Sequence, residues 1–274
     1  MKTFRRWVLA LAALLGAGVS AASTPQESEH YFVYFGTYTG AQSKGIYVSR
    51  FDVHSGKLSA PELAVATANP SFLAIHPNHQ FLYAVGELGV FDGKKTGAIS
   101  AFTIHPQSGK LTLLNRESSG GAGPCFVGVD QAGKHVLAAN YSGGSVAVLP
   151  IKADGRLGRA SVVVQHSGAS INPQRQKGPH AHSIFLDAAN HFAFAPDLGL
   201  DKVLIYRFDN VAGTLTPNDP PCAKLAPGSG PRHLAFHPSG RFLYVINELR
   251  CTVTAFPVSP LLLENYVACD VGTN

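Results

Sequence analysis

The chain of 274 residues is 45% hydrophobic and only 14% Asp, Glu, Lys or Arg, so it has the apolar material for a sizeable core and too little charge for a disordered polymer. Its formal charge of +5 includes Lys2, Arg5 and Arg6 at the N-terminus. Without them 19 basic side chains face 17 acidic ones, and no basic run remains to contact a nucleic acid.

The first predicted element is a leader. "MKTFRRWVLALAALLGAGVSAAST" opens with cationic residues, continues as an apolar run from Trp7 to Leu15, and ends in small residues at Val19 to Ala22. That order predicts a secretory signal peptide over residues 1–22, cleaved after Ala21 or Ala22. A membrane anchor is the alternative, but the apolar run falls short of the roughly 20 residues a span needs. Arg5-Arg6 is compatible with a twin-arginine route. The remainder is expected to be periplasmic or secreted, with no membrane attachment after cleavage. There Cys125, Cys222, Cys251 and Cys269 could pair in three ways that the sequence does not rank. None has metal-ligand spacing, and neither a metal nor another cofactor is expected.

From Tyr31 the pattern is all β, a single domain over residues 31–274. Residues 31–65, "YFVYFGTYTG" through "GIYVSRFDVHSGKLSAPELAV", predict the later strands of a sheet that lacks its first. Four copies follow, opened by Asn69-Pro70, Gly123-Pro124, Gly178-Pro179 and Gly230-Pro231 at spacings of 54, 55 and 52 residues. Each pair leads into a short apolar strand, a polar turn and a second strand, as in "SFLAIHPNHQFLYAVGE" and "RHLAFHPSGRFLYVINE". A third strand follows in each copy ("GAISAFTIH", "GSVAVLPIK", "DKVLIYRFD", "CTVTAFPV"), and a fourth, edge-like one in "KLTLLNRES" and "LGRASVVVQ". Four strands at a period near 50 predict the blades of a β-propeller, since one blade cannot bury both its faces. A β-sandwich is the runner-up and gives no reason for the self-similarity.

In a blade the first strand lies nearest the axis and the second runs antiparallel to it, so the start of one and the end of the other emerge at the same mouth of the channel. The starts read Ser71-Phe72, Cys125-Phe126, His180-Ala181-His182 and Arg232-His233; the ends read Glu87, Tyr141, Asp197 and Glu248. Packing explains the shared apolar skeleton but not these differing polar tips. They predict one rim with imidazole, guanidinium and carboxylate groups, the parts of an acid/base site with an anion clamp. His180, His182, Arg232 and Glu248 are the candidate catalytic residues; His233, Asp197 and Glu87 are the candidate substrate contacts. Plainer readings stand beside these. Arg232 and Glu248 could form an ion pair that holds their hairpin, and Asp197 and Asp201 of "DLGLD" cap a turn more readily than they bind calcium. His76, His105 and His237 read as turn or packing residues. No G-x-S-x-G elbow, H-E-x-x-H helix or P-loop occurs, so a covalent serine hydrolase is not indicated.

The ordered set "YFGTYT", "GPHAHS", "DLGLDKVLIYRFD" and "GPRHLAFHPSGRFLYVINEL" resembles the lactonase family of seven-bladed β-propellers over about residues 31–250. The resemblance implies metal-free action on lactones, with 6-phosphogluconolactonase and carboxymuconate-cyclase branches. In the cyclase branch a histidine, an arginine and a glutamate of the central channel are proposed to act, and these map onto His180 or His182, Arg232 and Glu248. Seven blades need roughly 360 residues, so about five blades and a C-terminally incomplete ring are expected. The expected function is hydrolysis of a sugar-type lactone by an exported enzyme. An unphosphorylated lactone is favoured because sugar phosphates are cytosolic. The alternatives are cycloisomerisation by the same groups, or a non-catalytic ligand-binding or scaffold propeller, including an inactive truncated product. The expected partner is a small lactone.

Overall fold

The computed structural model describes residues 30–258 and 269–271; the predicted signal peptide lies outside them. The described residues form five four-stranded antiparallel sheets. Sheet one holds β1 (His30–Phe35), β2 (Gly45–Asp52), β3 (Lys57–Leu58) and β4 (Glu62–Ala66). Sheet two holds β5 (Leu73–Ile75), β6 (Phe81–Gly86), β7 (Ala98–Ile104) and β8 (Leu111–Ser118). Sheet three holds β9 (Pro124–Val129), β10 (His135–Asn140), β11 (Ser145–Pro150) and β12 (Val162–Gln165). Sheet four holds β13 (Phe185–Leu186), β14 (Phe192–Asp197), β15 (Lys202–Asp209) and β16 (Thr214–Lys224). Sheet five holds β17 (Pro231–Phe236), β18 (Phe242–Asn247), β19 (Thr252–Pro257) and β20 (Cys269–Val271).

Sheets two to five pair their strands in chain order. In sheet one, β3 and β4 both pair with β2, and β1 takes the place that second strands hold elsewhere. The missing inner strand predicted for residues 31–65 is thus also missing among the described strands. After "INEL" the alternation blurs in the sequence, yet β19 pairs with β18 over its whole length.

The core lies between sheets rather than within one. Ile46 and Val48 of sheet one pack on Leu82 and Phe102 of sheet two, and Tyr83 and Ile99 of sheet two on Val136 and Leu149 of sheet three. Phe126 and Leu137 of sheet three meet Ile184 and Tyr206 of sheet four, and Val203 and Ile205 meet Leu243 and Val245 of sheet five. At about 1.5–3 kcal/mol for each fully buried large side chain, these seams dominate the stability. That is why the apolar skeleton repeats. The seams also demand close approach. Gly155, at φ 83°, donates no side chain because a Cβ there would lie 2.4 Å from the Phe81 ring.

The hydrogen bonds give the true register of the repeat. The residue after the second strand donates its N–H to the first residue of the opening pair: Glu87 to Asn69 O, Tyr141 to Gly123 O and Glu248 to Gly230 O, at 2.8–3.0 Å. In sheet four the corresponding bond runs from Leu198 N–H to His180 O at 3.0 Å. His180-Ala181 therefore occupies the opening slot, and Gly178-Pro179 lies two residues upstream of it. This corrects the alignment read from the sequence. Asp197, paired with Ala181, is the counterpart of Asn140 and Asn247, which pair with Pro124 and Pro231. Leu198, not Asp197, is the counterpart of Glu248.

One further feature recurs. The β9–β10 register slips by one residue at Cys125, and the β17–β18 register at Arg232. The same slip separates Ala181↔Asp197 from Phe185↔Phe194, around His182. Each is a β-bulge, which leaves one residue unpaired and re-aims its side chain.

Candidate active site

Those bulged residues are the ones that reach the channel. Cys125, His182 and Arg232, with Ser71 at the same slot of sheet two, line one cavity of about 450 Å³. The residues after the second strands, Glu87, Tyr141 and Glu248, line it too. A cavity of about 380 Å³ beside β1, lined by residues such as Tyr31, Ile75 and His76, holds neither carboxylate nor guanidinium. The cavity at the channel mouth combines imidazole, guanidinium and carboxylate groups.

The rim is organised around Glu248. Arg175 Nη2 donates to its Oε1 at 2.6 Å and Arg232 Nη1 donates to its Oε2; Arg175 Nη2 also reaches the Tyr141 hydroxyl at 3.0 Å. Partial burial opposes ionisation of Glu248, but the hydrogen bonds and charges of the two arginines outweigh it and hold the carboxyl below its ordinary range. Glu248 is 24% exposed and the arginines 42% and 45%, a setting where an ion pair contributes on the order of 0–1 kcal/mol. The Arg232–Glu248 ion pair expected across the hairpin is thus present, and Arg175, which comes from outside the hairpin, joins it on the other carboxylate oxygen. Its loop is folded by its own side chains: Asn172 Oδ1 accepts from Gln174 and Arg175 N–H, and buried Gln176 donates to Leu198 O at 2.8 Å.

His182 lies deeper, 6% exposed, with the Tyr141 and His233 rings 5.4 and 5.3 Å away. Burial, then the charges of Arg232 and His233, lower its pKa to about 4, so the imidazole is neutral at neutral pH. Its Nδ1 faces Cys125 Sγ at 3.8 Å. Burial pushes the Cys125 thiol up to about 12, with the Glu87 charge adding to the effect. His233 packs on Phe72, Phe126 and Phe185 with ring centres 5.7–6.0 Å apart, and of these phenyl rings Phe72 reaches the cavity. Burial and Arg232 lower the His233 pKa as well. On another wall Glu87 Oε2 accepts from the Tyr38 hydroxyl at 2.8 Å and from Ser71 Oγ at 2.5 Å.

Five of the seven residues singled out in the sequence, His182, Arg232, Glu248, His233 and Glu87, thus share one cavity. The other two do not reach it. His180 stacks on Tyr141 at 4.6 Å and donates from Nδ1 to Tyr141 O, which turns its ring behind the wall. Asp197 is fully buried, accepting from His180 and Gly199 N–H and pairing with His166. Asp201 accepts from Ser170 Oγ and from Gly228 and Gly230 N–H, so it ties two distant loops together, while the cap of the turn itself is Asp197 accepting from Gly199 N–H. His76, His105 and His237 bond within their own turns or to a neighbouring carbonyl. Sequence reasoning missed Arg175 and Tyr38. Tyr38 had a signal, since it follows β1 as Glu87 follows β6; Arg175 sits in a loop with no repeat counterpart.

A family model described as "Lactonase, 7-bladed beta-propeller" matches residues 32–264. A 6-phosphogluconolactonase of Bacillus subtilis is 37% identical over 230 residues, covering 84% of this chain and 63% of that protein. A 6-phosphogluconolactonase of Formosa agariphila is 30% identical over 226 residues, covering 82% and 63%. The chain therefore spans less than two thirds of the length of these curated relatives. Among solved structures, a candidate 6-phosphogluconolactonase of Bacteroides fragilis superposes with a TM-score of 0.80 at 36% identity, covering 92% of this chain and 70% of that one. The periplasmic gluconolactonase of Pseudomonas aeruginosa gives 0.77 at 34% identity, covering 89% and 67%.

Proposed function

This chain belongs to the lactonase family of seven-bladed β-propellers, and from that membership we propose that it hydrolyses an uncharged sugar lactone at the channel mouth, after export to the cell envelope. The carrying observation is a buried neutral imidazole, His182, beside two guanidinium groups held by one carboxylate. Lactone hydrolysis adds water across an acyl–oxygen bond, so the site must take a proton from water, steady an oxyanion and return a proton to the leaving ring oxygen. His182 is neutral and so suited to accept the proton and then deliver it to the ring oxygen. Arg232 and Arg175 face the developing oxyanion.

These roles divide the candidate catalytic residues between proton transfer, which falls to His182, and the holding of the arginines, which falls to Glu248. Both Glu248 oxygens are engaged by guanidinium groups, which occupies the lone pairs a base would use and makes Glu248 a holder of arginines. Export is supported by the leader read in residues 1–22 and by the Pseudomonas aeruginosa neighbour described as periplasmic. Charge balance supports an uncharged substrate: the two glutamates and two arginines that line the cavity leave it with no net charge to attract a phosphate. Glu87, Tyr38 and Ser71 offer hydrogen bonds to sugar hydroxyls.

The test is the turnover of an unphosphorylated aldonolactone by His182→Gln. Loss of general-base catalysis is expected to lower kcat by about 10²–10⁴-fold with KM little changed. Undiminished turnover would sink the assignment. Incorporation of solvent ¹⁸O into the product distinguishes hydrolysis from cycloisomerisation.

A further inference from the structure

The second-strand end of sheet four breaks a rule that sheets three and five keep. In those sheets the slot holds a buried asparagine whose amide donates to a hydroxyl of its own third strand. Asn140 Nδ2 reaches Ser119 O and Ser145 Oγ, and Asn247 Nδ2 reaches Thr252 and Thr254 Oγ1, at 2.8–3.0 Å. Sheet four has Asp197 instead, fully buried and able only to accept. A buried carboxylate costs more desolvation than an amide, so packing alone does not account for it.

The opening slot of sheet four differs in a matching way. Asn69, Gly123 and Gly230 enter their bulges with φ of 43°, 59° and 64°, the left-handed region; His180 is not among the residues of positive φ. Sheet four therefore lacks the backbone turn that sets the entry to the other bulges. What it has is Asp197 Oδ1 accepting from His180 N–H at 2.8 Å and from Gly199 N–H at 3.0 Å, a clamp across the two strand ends. Asp197 Oδ2 is tied at 2.7 Å to Nδ1 of His166, and His166 Nε2 meets the Tyr206 hydroxyl at 3.0 Å. All three side chains are at most 5% exposed, and Tyr206 belongs to the core seam between sheets three and four.

We propose that Asp197, anchored by His166 and Tyr206, is a positioning residue that replaces the left-handed entry turn and fixes the register in which His182 faces the cavity. The inference rests on the reading of His182 as the proton acceptor, and it goes beyond that reading because, among the described sheets, sheet four alone enters its bulge in this way. Asp197→Ala removes the acceptor for both N–H groups. Asp197→Asn keeps an oxygen at the same place, and its amide can donate to His166 Nδ1 once the imidazole changes tautomer.

The experiment measures kcat and KM on an unphosphorylated aldonolactone together with the imidazole ¹⁵N resonances of His182. Asp197→Ala is expected to lower kcat by about 100-fold with KM within about twofold, the signature of a misplaced reacting group. It is also expected to move the His182 resonances, and Asp197→Asn to restore both. Unmoved resonances in Asp197→Ala, or no restoration by Asp197→Asn, overturns the inference. If Asp197→Ala fails to fold, His166→Gln carries the same test through a smaller displacement of the same resonances, and an unmoved spectrum again overturns it. If the wild-type chain shows no lactone hydrolysis, the proposed function falls, and the spectrum alone decides the positioning role.

Discussion

Glu87 and Glu248 occupy the same slot of the repeat, one residue past the second strand, with the same N–H bond to the opening pair of their blade. Yet Glu87 accepts from two hydroxyls and Glu248 from two guanidinium groups. The backbone delivers a carboxylate to the channel in both blades, and the neighbouring slots decide its chemistry. Ser71 precedes the first strand of one blade where Arg232 stands in the other. The repeat thus builds the wall, and the bulge residues write the function on it.

The sharpest way to break the comparison is to remove each carboxylate in turn. Glu248→Ala releases Arg175 and Arg232, which lose the oxygens that set their geometry. Under the proposed function these donors face the developing oxyanion, so kcat is expected to fall by about 10²–10³-fold, as for loss of an oxyanion-hole donor. Glu87→Gln keeps its shape and loses only charge-assisted acceptance from Tyr38 and Ser71, so KM is expected to rise by about tenfold or less with kcat held. Steady-state kinetics of both variants reads the contrast directly. Equal effects on kcat would mean that the two carboxylates do one job.

A smaller effect sharpens the same contrast through pH. His182 must be neutral to accept a proton, and its pKa is lowered to about 4 by burial and its cationic neighbours. The kcat/KM profile is therefore expected to be level through the neutral range and to decline on acidification below about pH 4, approaching tenfold per pH unit. Glu248 is held ionised by its arginines, so it adds no separate limb in the neutral range. An acid limb near pH 6.5, the ordinary histidine value, would mean that His182 is solvated and not the acceptor.

The blades were legible in the sequence because packing between sheets repeats the same apolar positions; Leu82, Leu137 and Leu243 all recur as buried residues of second strands. Their ends were legible only in part. Glycine and proline signal a turn wherever they fall, so Gly178-Pro179 imitated an opening pair while His180-Ala181 took the hydrogen bonds. That two-residue offset moved His180 into the predicted rim, and an offset of one residue at the second-strand end put Asp197 there in place of Leu198. Bulges leave no composition signature, so nothing in "GPCFVG" or "PRHLAF" announced that Cys125 and Arg232 would be unpaired. Arg175 escaped for another reason. Its loop is shaped by Asn172 and Gln176 acting on local backbone, and comparison between copies is blind to a segment that only one copy has.

The bulge slot also supplies the smallest expected effect. Cys125 stands where Arg232 stands in sheet five, but it is a thiol whose pKa burial pushes up to about 12. At pH 8 only about one thiol in ten thousand is then ionised, and the thiolate is the form that reacts with alkylating agents. Iodoacetamide is accordingly expected to label the exposed Cys251 well before Cys125. Cys125→Ser, which keeps the donor to His182 O, is expected to change kcat by no more than about twofold, since the thiol makes only weak hydrogen bonds. Rapid labelling of Cys125 with parallel loss of activity would instead show an ionised thiol in the cavity. The bulges of sheets three and five would then both carry chemistry, rather than one filling space while the other carries charge.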